Sequence, residues 1–337
     1  MVKLGDVINV HYGKALKADQ RVSNGSVHVF GSSGIVGNHD KTLCSYPTII
    51  IGRKGSVGAI TWAPDGGWII DTAYYVEIKD NNKLDLRYLF YILSGIDLTK
   101  KTITTSIPGL NRDDLYDTFI KLPPFEEQKR IVDLLDKAEG IRQKREQAIK
   151  LADDFLRATF ATMYGNPITN PKKWPVHLMG EIIEFKGGNQ PPKSDFIFEP
   201  KQGYIRLVQI RDFKSDKYAT YIPQEKAKRI FEVDDVMIAR YGPPVFQILR
   251  GLSGSYNVAL MKASPKENIR KGFIFYLLQL PEYHDVVVKN SERTAGQTGV
   301  NLELLNKFNV PLPPIYYQDE ILARLARIEK FKEKIEI

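Results

Sequence analysis

Two carboxylates and a lysine in the first third of the chain have a spacing that could support phosphodiester hydrolysis. Asp65 follows Pro64, and Glu77 and Lys79 lie further along in a Glu-Ile-Lys sequence. In such an arrangement the carboxylates hold Mg²⁺ and the lysine assists the attacking water. Asp65, however, lies within Ala-Pro-Asp-Gly-Gly, a composition typical of a turn. Because the spacing favours a metal-dependent DNA nuclease but the turn composition argues against it, this function is retained only as an alternative.

The patterns of several other chemistries are missing from the sequence. No Asn/Asp-Pro-Pro-aromatic tetrad is present to hold a flipped adenine, since Gln190-Pro191-Pro192-Lys193 lacks both ends of that pattern. The five histidines show no metal-ligand spacing, the single cysteine excludes a cysteine-based zinc site, and no Walker-type loop occurs. We therefore expect no catalytic residue, no metal and no cofactor bound by this chain.

A basic glycine turn is better suited to nucleic acid. A predicted buried strand at 48–52 leads into Arg53-Lys54-Gly55-Ser56, and Arg240-Tyr241-Gly242 follows a later apolar stretch in the same way. Glycines allow the backbone to approach phosphates closely. Arginine suits a guanine edge, and lysine suits a phosphate. For any one of these residues, a surface hairpin turn with incidental charge is the alternative.

Other polar residues follow predicted strands or lie in late polar loops. Amides suit adenine edges, and cations suit guanine edges or phosphates. Arg206, Gln209 and Arg211 alternate with apolar residues in a predicted strand, so some of them must face away from the core. For each residue, a solvated surface position is the alternative. The full set of DNA-binding candidates is Lys14, Lys17, Arg21, Arg53, Lys54, Ser56, Ser106, Asn111, Gln190, Lys193, Arg206, Gln209, Arg211, Arg240, Tyr241, Gln297 and Asn301.

Length and charge describe a globular protein with room for two domains. The chain has 337 residues, 43% hydrophobic and 26% charged, and a net charge of +8. Residues 1–123 carry 14 basic and 12 acidic side chains and residues 165–314 carry 21 and 15, whereas 124–164 and 315–337 are neutral. A polyanion would therefore meet the globular blocks, and the neutral segments would bind protein. Since no long apolar run or signal-peptide pattern occurs, a cytoplasmic location is expected.

The order of motifs in the first block returns in the second. Gly5, Arg53 and Asn111 are answered by Gly180, Arg240 and Asn301. The offset between the copies grows from 175 to 190 residues, as loop insertions into the second copy of a duplicated fold would produce. The sequence therefore predicts an internal repeat.

Each copy ends in a Pro-Pro pair followed by a helical pattern. The first pattern predicts a helix from Phe125 to Phe160, ending before Gly165, and the second predicts a helix from Ile315 to Ile337. The predicted division is a first domain (1–123), a central spacer helix (124–164), a second domain (165–313) and a short C-terminal helix (314–337).

The stretch at the first junction, Leu-Pro-Pro-Phe-Glu-Glu-Gln-Lys-Arg-Ile-Val at 122–132, resembles the signature of type I restriction-modification specificity (S) subunits. Gly13, the turn at 51–58 and Gly296-Gln297-Thr298 contribute to the resemblance, which covers nearly the whole chain. It implies an α+β fold. Two repeated mixed α/β target-recognition domains would be separated by a pair of long antiparallel helices, in a pseudo-two-fold arrangement.

The resemblance also implies a function. The chain would be the non-catalytic DNA-specificity subunit of a methyltransferase and endonuclease complex, with each domain reading one half of a bipartite site. The helices would set the spacing of the half-sites and dock two methyltransferase (M) subunits, on which S-adenosylmethionine is expected. A restriction (R) subunit is a further partner. The second junction departs from the signature because Tyr316 and Tyr317 replace its two acids.

Overall fold

The computed structural model describes residues 1–101, 109–242, 245–291 and 299–336. The chain divides into two compact units, Met1–Lys144 and Arg145–Ile337. The prediction of an α+β fold with two repeated domains is confirmed. Ser106 and Gln297, two of the predicted DNA-binding residues, lie outside the described residues.

The first unit contains a four-stranded antiparallel sheet in the order β2-β8-β5-β6 and a three-stranded sheet in the order β4-β3-β7. Two short strands, β1 and β9, pair antiparallel and bring the first residues of the chain next to Phe119 and Ile120. The strands are β1 (Val2–Lys3), β2 (Ile8–Tyr12), β3 (Val27–Gly31), β4 (Gly34–His39), β5 (Thr48–Gly52), β6 (Ile60–Ala63), β7 (Trp68–Ile69), β8 (Ala73–Ile78) and β9 (Phe119–Ile120).

Three short helices complete the first domain, and a fourth, long helix begins in it. Helix α2 starts at its cap Asp85, whose carboxylate accepts from the N–H of Tyr88, and packs against the four-stranded sheet. The helices are α1 (Leu4–Val7), α2 (Leu86–Ser94), α3 (Arg112–Tyr116) and α4 (Phe125–Tyr164).

The second unit repeats this plan with insertions. Its sheets have the orders β11-β18-β15-β16 and β13-β12-β17-β14, and β10 pairs with β19. The strands are β10 (Val176–Leu178), β11 (Ile183–Gly187), β12 (Tyr204–Val208), β13 (Tyr221–Pro223), β14 (Ile230–Phe231), β15 (Val236–Ala239), β16 (Ile248–Leu249), β17 (Gly254–Tyr256), β18 (Leu260–Pro265) and β19 (Asn309–Pro311). The helices are α5 (Met179–Ile182), α6 (Lys271–Leu277), α7 (Pro281–Ser291), α8 (Leu302–Asn306) and α9 (Ile315–Glu336).

Hydrogen bonds at matched positions confirm the repeat. Lys79 donates to the carbonyl of Gly5 at 2.5 Å, and Lys266 donates to that of Gly180 at 2.7 Å. The parallel pair β3-β7 of the first unit has its counterpart in the parallel pair β12-β17 of the second. Helix α7 follows α6 where the first unit has a short 3₁₀ turn, Leu98–Lys101, after α2, and this longer element accounts for part of the growing offset.

A buried glutamine attaches each long helix to its own unit. Gln128 is fully buried; its amide donates to the carbonyls of Lys83 and Pro123, and its oxygen accepts from the N–H of Asp85. Gln318, also fully buried, makes the corresponding three bonds in the second unit. Its amide donates to the carbonyls of Asn268 and Pro313, and its oxygen accepts from the N–H of Arg270. All six partners are backbone atoms.

A tyrosine, an arginine and a carboxylate make a second attachment in each unit. In the first unit, Tyr91 and Arg87 of α2 both donate to Asp136 of α4. Burial acts to raise the pKa of Asp136, but the bonds from Tyr91 and Arg87 outweigh it and hold the pKa below its usual value. In the second unit, Tyr276 and Arg250 both donate to Glu329 of α9, and Tyr276 is more deeply buried than Tyr91.

Helix α4 is longer than predicted. It begins at Phe125 as expected but ends at Tyr164, four residues beyond the predicted end, because Phe160 and Tyr164 are buried in the core of the second unit. Its 40 residues correspond to about 60 Å at about 1.5 Å per residue.

Helix α9 lies antiparallel to the C-terminal half of α4. The hydroxyl of Tyr317, near the start of α9, donates to the carbonyl of Met163 at 3.1 Å, whereas Lys332, near its end, pairs with Asp153 at 2.8 Å. The predicted antiparallel arrangement is thus present within the second unit. Leu134 and Ile141, two apolar residues of α4, are exposed. Among the described residues, no helix combines the length and the apolar character needed to cross a membrane.

Candidate nucleic-acid interface

The strand order brings two strand ends of the first unit to one edge. Since β8 is antiparallel to both β2 and β5, these two strands run in the same direction. Tyr12, the last residue of β2, is opposite Tyr74, which is also opposite Ile51 of β5. Arg53 follows β5 directly and therefore lies beside Tyr12 and Tyr74.

Gly13 is needed for the turn at this edge. A Cβ at Gly13 would lie 2.1 Å from the carbonyl oxygen of Ile70, so only glycine fits beside the backbone. Gly188 has the same role in the second unit, where a Cβ would lie 1.9 Å from the carbonyl oxygen of Asn257. The sequence picked out Gly13 from its motif, and the structure gives the physical reason.

Two guanidinium groups face the ring of Tyr12. The Cζ of Arg53 lies 5.0 Å from its centroid, and the Cζ of Arg112 lies 5.3 Å from it. Arg53 also packs on Tyr74 at 5.7 Å and donates to the carbonyl of Asp71 at 3.2 Å. Burial, together with the neighbouring Tyr12, raises the pKa of Tyr74 to about 12, so the hydroxyl of Tyr74 stays neutral.

The equivalent edge of the second unit is built differently. Arg240 occupies the place of Arg53, as matched backbone bonds show: Leu110 donates to the carbonyl of Arg53 at 2.9 Å, and Val300 donates to that of Arg240 at 3.1 Å. The neighbours are not matched. Arg240 stacks on the adjacent Tyr241 at 4.9 Å.

In the second unit, a glycine stands at the position that the aromatic residue Tyr12 has in the first unit. Gly187 is the residue before Gly188, where the first unit has Tyr12 before Gly13. One guanidinium nitrogen of Arg240 lies 3.0 Å from where a Cβ of Gly187 would be, so it fills the space that the missing side chain leaves. Leu302 holds the position that Arg112 holds in the first unit, since each follows a capping asparagine.

The two predicted asparagines cap short helices. The side-chain oxygen of Asn111 accepts from the N–H of Asp113 at 3.2 Å, and that of Asn301 accepts from the N–H of Leu304 at 3.1 Å. Both residues are exposed. Capping therefore uses the side-chain oxygen of each asparagine and does not involve its NH₂ group.

Several other candidates are exposed side chains close to these turns in the chain. Arg21 differs from them because it is half-buried and donates to the carbonyl of Val36 at 2.7 Å. A contact of any of these residues with DNA stays a prediction. The exposed candidates are Lys14, Lys17, Lys54 and Ser56 in the first unit and Gln190 and Lys193 in the second.

The predicted strand containing Arg206, Gln209 and Arg211 is wrong in its extent. Strand β12 ends at Val208, and a 3₁₀ turn follows because the buried Asp212 accepts from the N–H of Gln209 at 2.8 Å. Only Arg206 is in the strand, where it forms an ion pair with Asp216 at 2.8 Å. Arg211 is exposed and packs on Tyr218 at 5.4 Å.

Sequence reasoning missed two residues of the first edge, Tyr12 and Arg112. Both had a readable signal. Tyr12 ends an alternating strand directly before the essential glycine, and Arg112 directly follows the capping asparagine. Their relevance depends on long-range packing, which brings residues 12, 53 and 112 together.

The residues of the nuclease alternative, Asp65, Glu77 and Lys79, have different surroundings in the structure. Glu77 pairs with His11 at 2.8 Å, and Lys79 donates to the carbonyl of Gly5. Asp65 lies in the turn between β6 and β7, as its composition predicted. Within the part of the chain that the structure describes, no three His, Cys, Asp or Glu residues are grouped so as to hold a metal ion.

Two copies of one α/β unit, with arginine at the same sheet edge in both, define a modular recognition protein. Residues 1–151 and 171–337 match the family model of the type I restriction modification DNA specificity domain. The chain belongs to this family, and it is a DNA-recognition subunit, not a catalytic one.

Individual relatives agree with this assignment. The type I restriction enzyme EcoBI specificity subunit of Escherichia coli is 22% identical over 331 residues, covering 86% of this chain and 69% of the relative. The MjaVIII specificity subunit of Methanocaldococcus jannaschii is 21% identical over 305 residues, covering 78% and 69%.

Two solved structures have a similar fold. The S subunit of a type I restriction-modification system from M. genitalium superposes with a TM-score of 0.64 at 16% identity, covering 99% of this chain and 90% of that one. A chain from a study of complex assembly and conformational transition of the type I R-M system gives 0.54 at 20% identity, with the same coverage.

Proposed function

We propose that each unit reads one half of a bipartite DNA site through its basic strand-end edge. The observation that carries this proposal is the placement of Arg53 and Arg240 at matched positions of the repeated fold, beside exposed Tyr12 and Tyr241. Arginine in such a place can bind a guanine edge or a phosphate. The exposed candidates near the same turns would add phosphate and base contacts.

The long helices would set the spacing of the two half-sites. Helix α4 continues without interruption from the first unit into the second, which supports this role. Half-site spacing then follows from protein dimensions, as in other DNA-binding proteins.

The helices would also dock two M subunits. Large apolar side chains are exposed along them, including Leu134 and Ile141 of α4 and Phe331 of α9, each more than 60% exposed. S-adenosylmethionine would be bound by the M subunits and no cofactor by this chain. An R subunit would join for cleavage, and the complex would work in the cytoplasm.

Methylation mapping tests this function. The chain is purified with its M partner, the complex methylates a DNA library, and modified adenines are located by sequencing. A bipartite target with a fixed gap is expected. Methylation at a contiguous site, or without a defined site, would contradict the proposal.

An exchange of one domain tests the division of labour. Replacing residues 174–311 by the same region of a relative should change only one half of the mapped target. The unmodified complex serves as the control for the half that is retained. A change in both halves would show that the units do not read DNA independently.

A further inference from the structure

The first unit carries two positive charges on a single exposed ring. Both guanidinium groups, of Arg53 and Arg112, lie within 5.3 Å of the centroid of Tyr12, which is 47% exposed. Packing on the ring and on Tyr74 restricts the orientation of these side chains, so their donors are held in fixed directions.

This pair lacks a counter-charge within the described ranges. No carboxylate there lies within ion-pair distance of Arg53 or Arg112. The Nε of Arg112 is buried and has no hydrogen-bond partner among the described atoms, and Arg53 uses one N–H on the carbonyl of Asp71. Two like charges beside the same ring repel each other, and an anion that accepts from both would relieve that repulsion.

We propose that Arg53 and Arg112 together clamp one backbone phosphate of the DNA, with the ring of Tyr12 as a support that both side chains contact. A phosphate matches the forked donors of two guanidinium groups and can accept from both at once. This inference rests on the proposed function, and it adds the chemical group that is bound and a residue, Arg112, that positions it.

The clamp belongs to the first unit only. At the second edge Gly187 replaces Tyr12, and Leu302 replaces Arg112, so at these matched, described positions Arg240 has neither the shared ring nor the second cation. The half-site read by the first unit would therefore have a two-arginine phosphate contact that the described residues of the second unit do not reproduce.

Neutral phosphates test the clamp. Duplexes of the mapped target carry a single methylphosphonate, moved one position at a time along the half-site that the domain exchange leaves unchanged. Their affinity for the complex with M subunits is measured over a range of salt. The variants are R53L, R112L, R53L/R112L and R112K, with K121Q as a control that removes one exposed charge from the first unit outside the predicted DNA-binding residues and the long helices.

One position should respond. A methylphosphonate there weakens binding to the wild type about tenfold and has little effect on R112L, because the contact is already lost. The slope of log affinity against log salt falls by about 0.9 in R53L, in R112L and in the double variant alike, since one phosphate is shared. R112K retains most of the slope, and K121Q leaves the methylphosphonate profile unchanged.

Other results would overturn the clamp. A slope that falls twice as far in the double variant, with two responsive positions, would mean that the arginines bind separate phosphates. An unchanged profile in R112L would remove Arg112 from the contact. A wild-type complex without a bipartite target would instead refute the proposed function, so the two failures are distinguishable.

Discussion

The two units share their internal attachments but differ at their exposed edges. Gln128 and Gln318 make the same three backbone bonds, and Gly13 and Gly188 make the same close approach. At the edge, however, an aromatic ring with two arginines in the first unit is matched by glycine and one arginine in the second. The scaffold is the same in the two units, whereas the surface that we propose to bind DNA differs between them.

The largest expected effect tests the shared scaffold. G13A and G188A should each lower the free energy of unfolding of their own unit by about 3 kcal/mol, because the new Cβ collides with a backbone carbonyl. Hydrogen exchange resolved by peptide measures each unit separately. G140A, where nothing lies within 4 Å of the new Cβ, is the control. A loss in only one of the two units would break the equivalence.

The buried glutamines come next. Q128L and Q318L should each cost about 2 kcal/mol, since each leaves three buried backbone groups without a partner. The loss should be similar in the two units and should appear in α2 or α6 and in the start of the attached helix. Thermal unfolding and hydrogen exchange report it. Very different losses would show that the attachments are not alike.

The tyrosine attachments should differ in strength. Y276F should cost about 1.5 kcal/mol and Y91F about 0.5 kcal/mol, because Tyr276 is buried, whereas Tyr91 and Asp136 are partly exposed. Unfolding by urea at neutral pH measures both. Equal losses would contradict the role of burial.

The Y91F loss should also depend on pH. The pKa of Asp136 is lowered in the folded state, so its stabilising effect is present above the unfolded value near 3.9 and is lost as the pH falls through the folded value. The difference between Y91F and the wild type should therefore disappear in strong acid. A constant difference would place the effect in packing and not in the hydrogen bond.

The smallest effect separates function from stability. R112L should leave the free energy of unfolding unchanged or raise it by about 0.5 kcal/mol, because it removes repulsion from Arg53. Thermal unfolding of the DNA-free chain checks this. A loss greater than about 1 kcal/mol would give Arg112 a structural role.

Local patterns were enough to predict the repeat, both long helices and the strand before Arg53. These features could be predicted because Pro-Pro junctions, apolar periodicity and glycine turns depend only on residues that are close together along the chain. The strand through Arg206 was extended too far because a buried capping carboxylate, Asp212, ends it. Tyr12 was missed because only the pairing of β2, β8 and β5 brings it beside Arg53. Arg112 was missed because a long-range backbone bond, from the N–H of Leu110 to the carbonyl of Arg53, brings the start of α3 to the same edge.

The buried glutamines have a consequence for how such chains change over generations. Gln128 and Gln318 bind only carbonyl and N–H groups, which every residue type except proline supplies in full. Mutations that alter the side chains of a recognition domain therefore leave its glutamine attachment to the helix intact. New sequence preferences can accumulate on one domain without any compensating change in the helix that holds it.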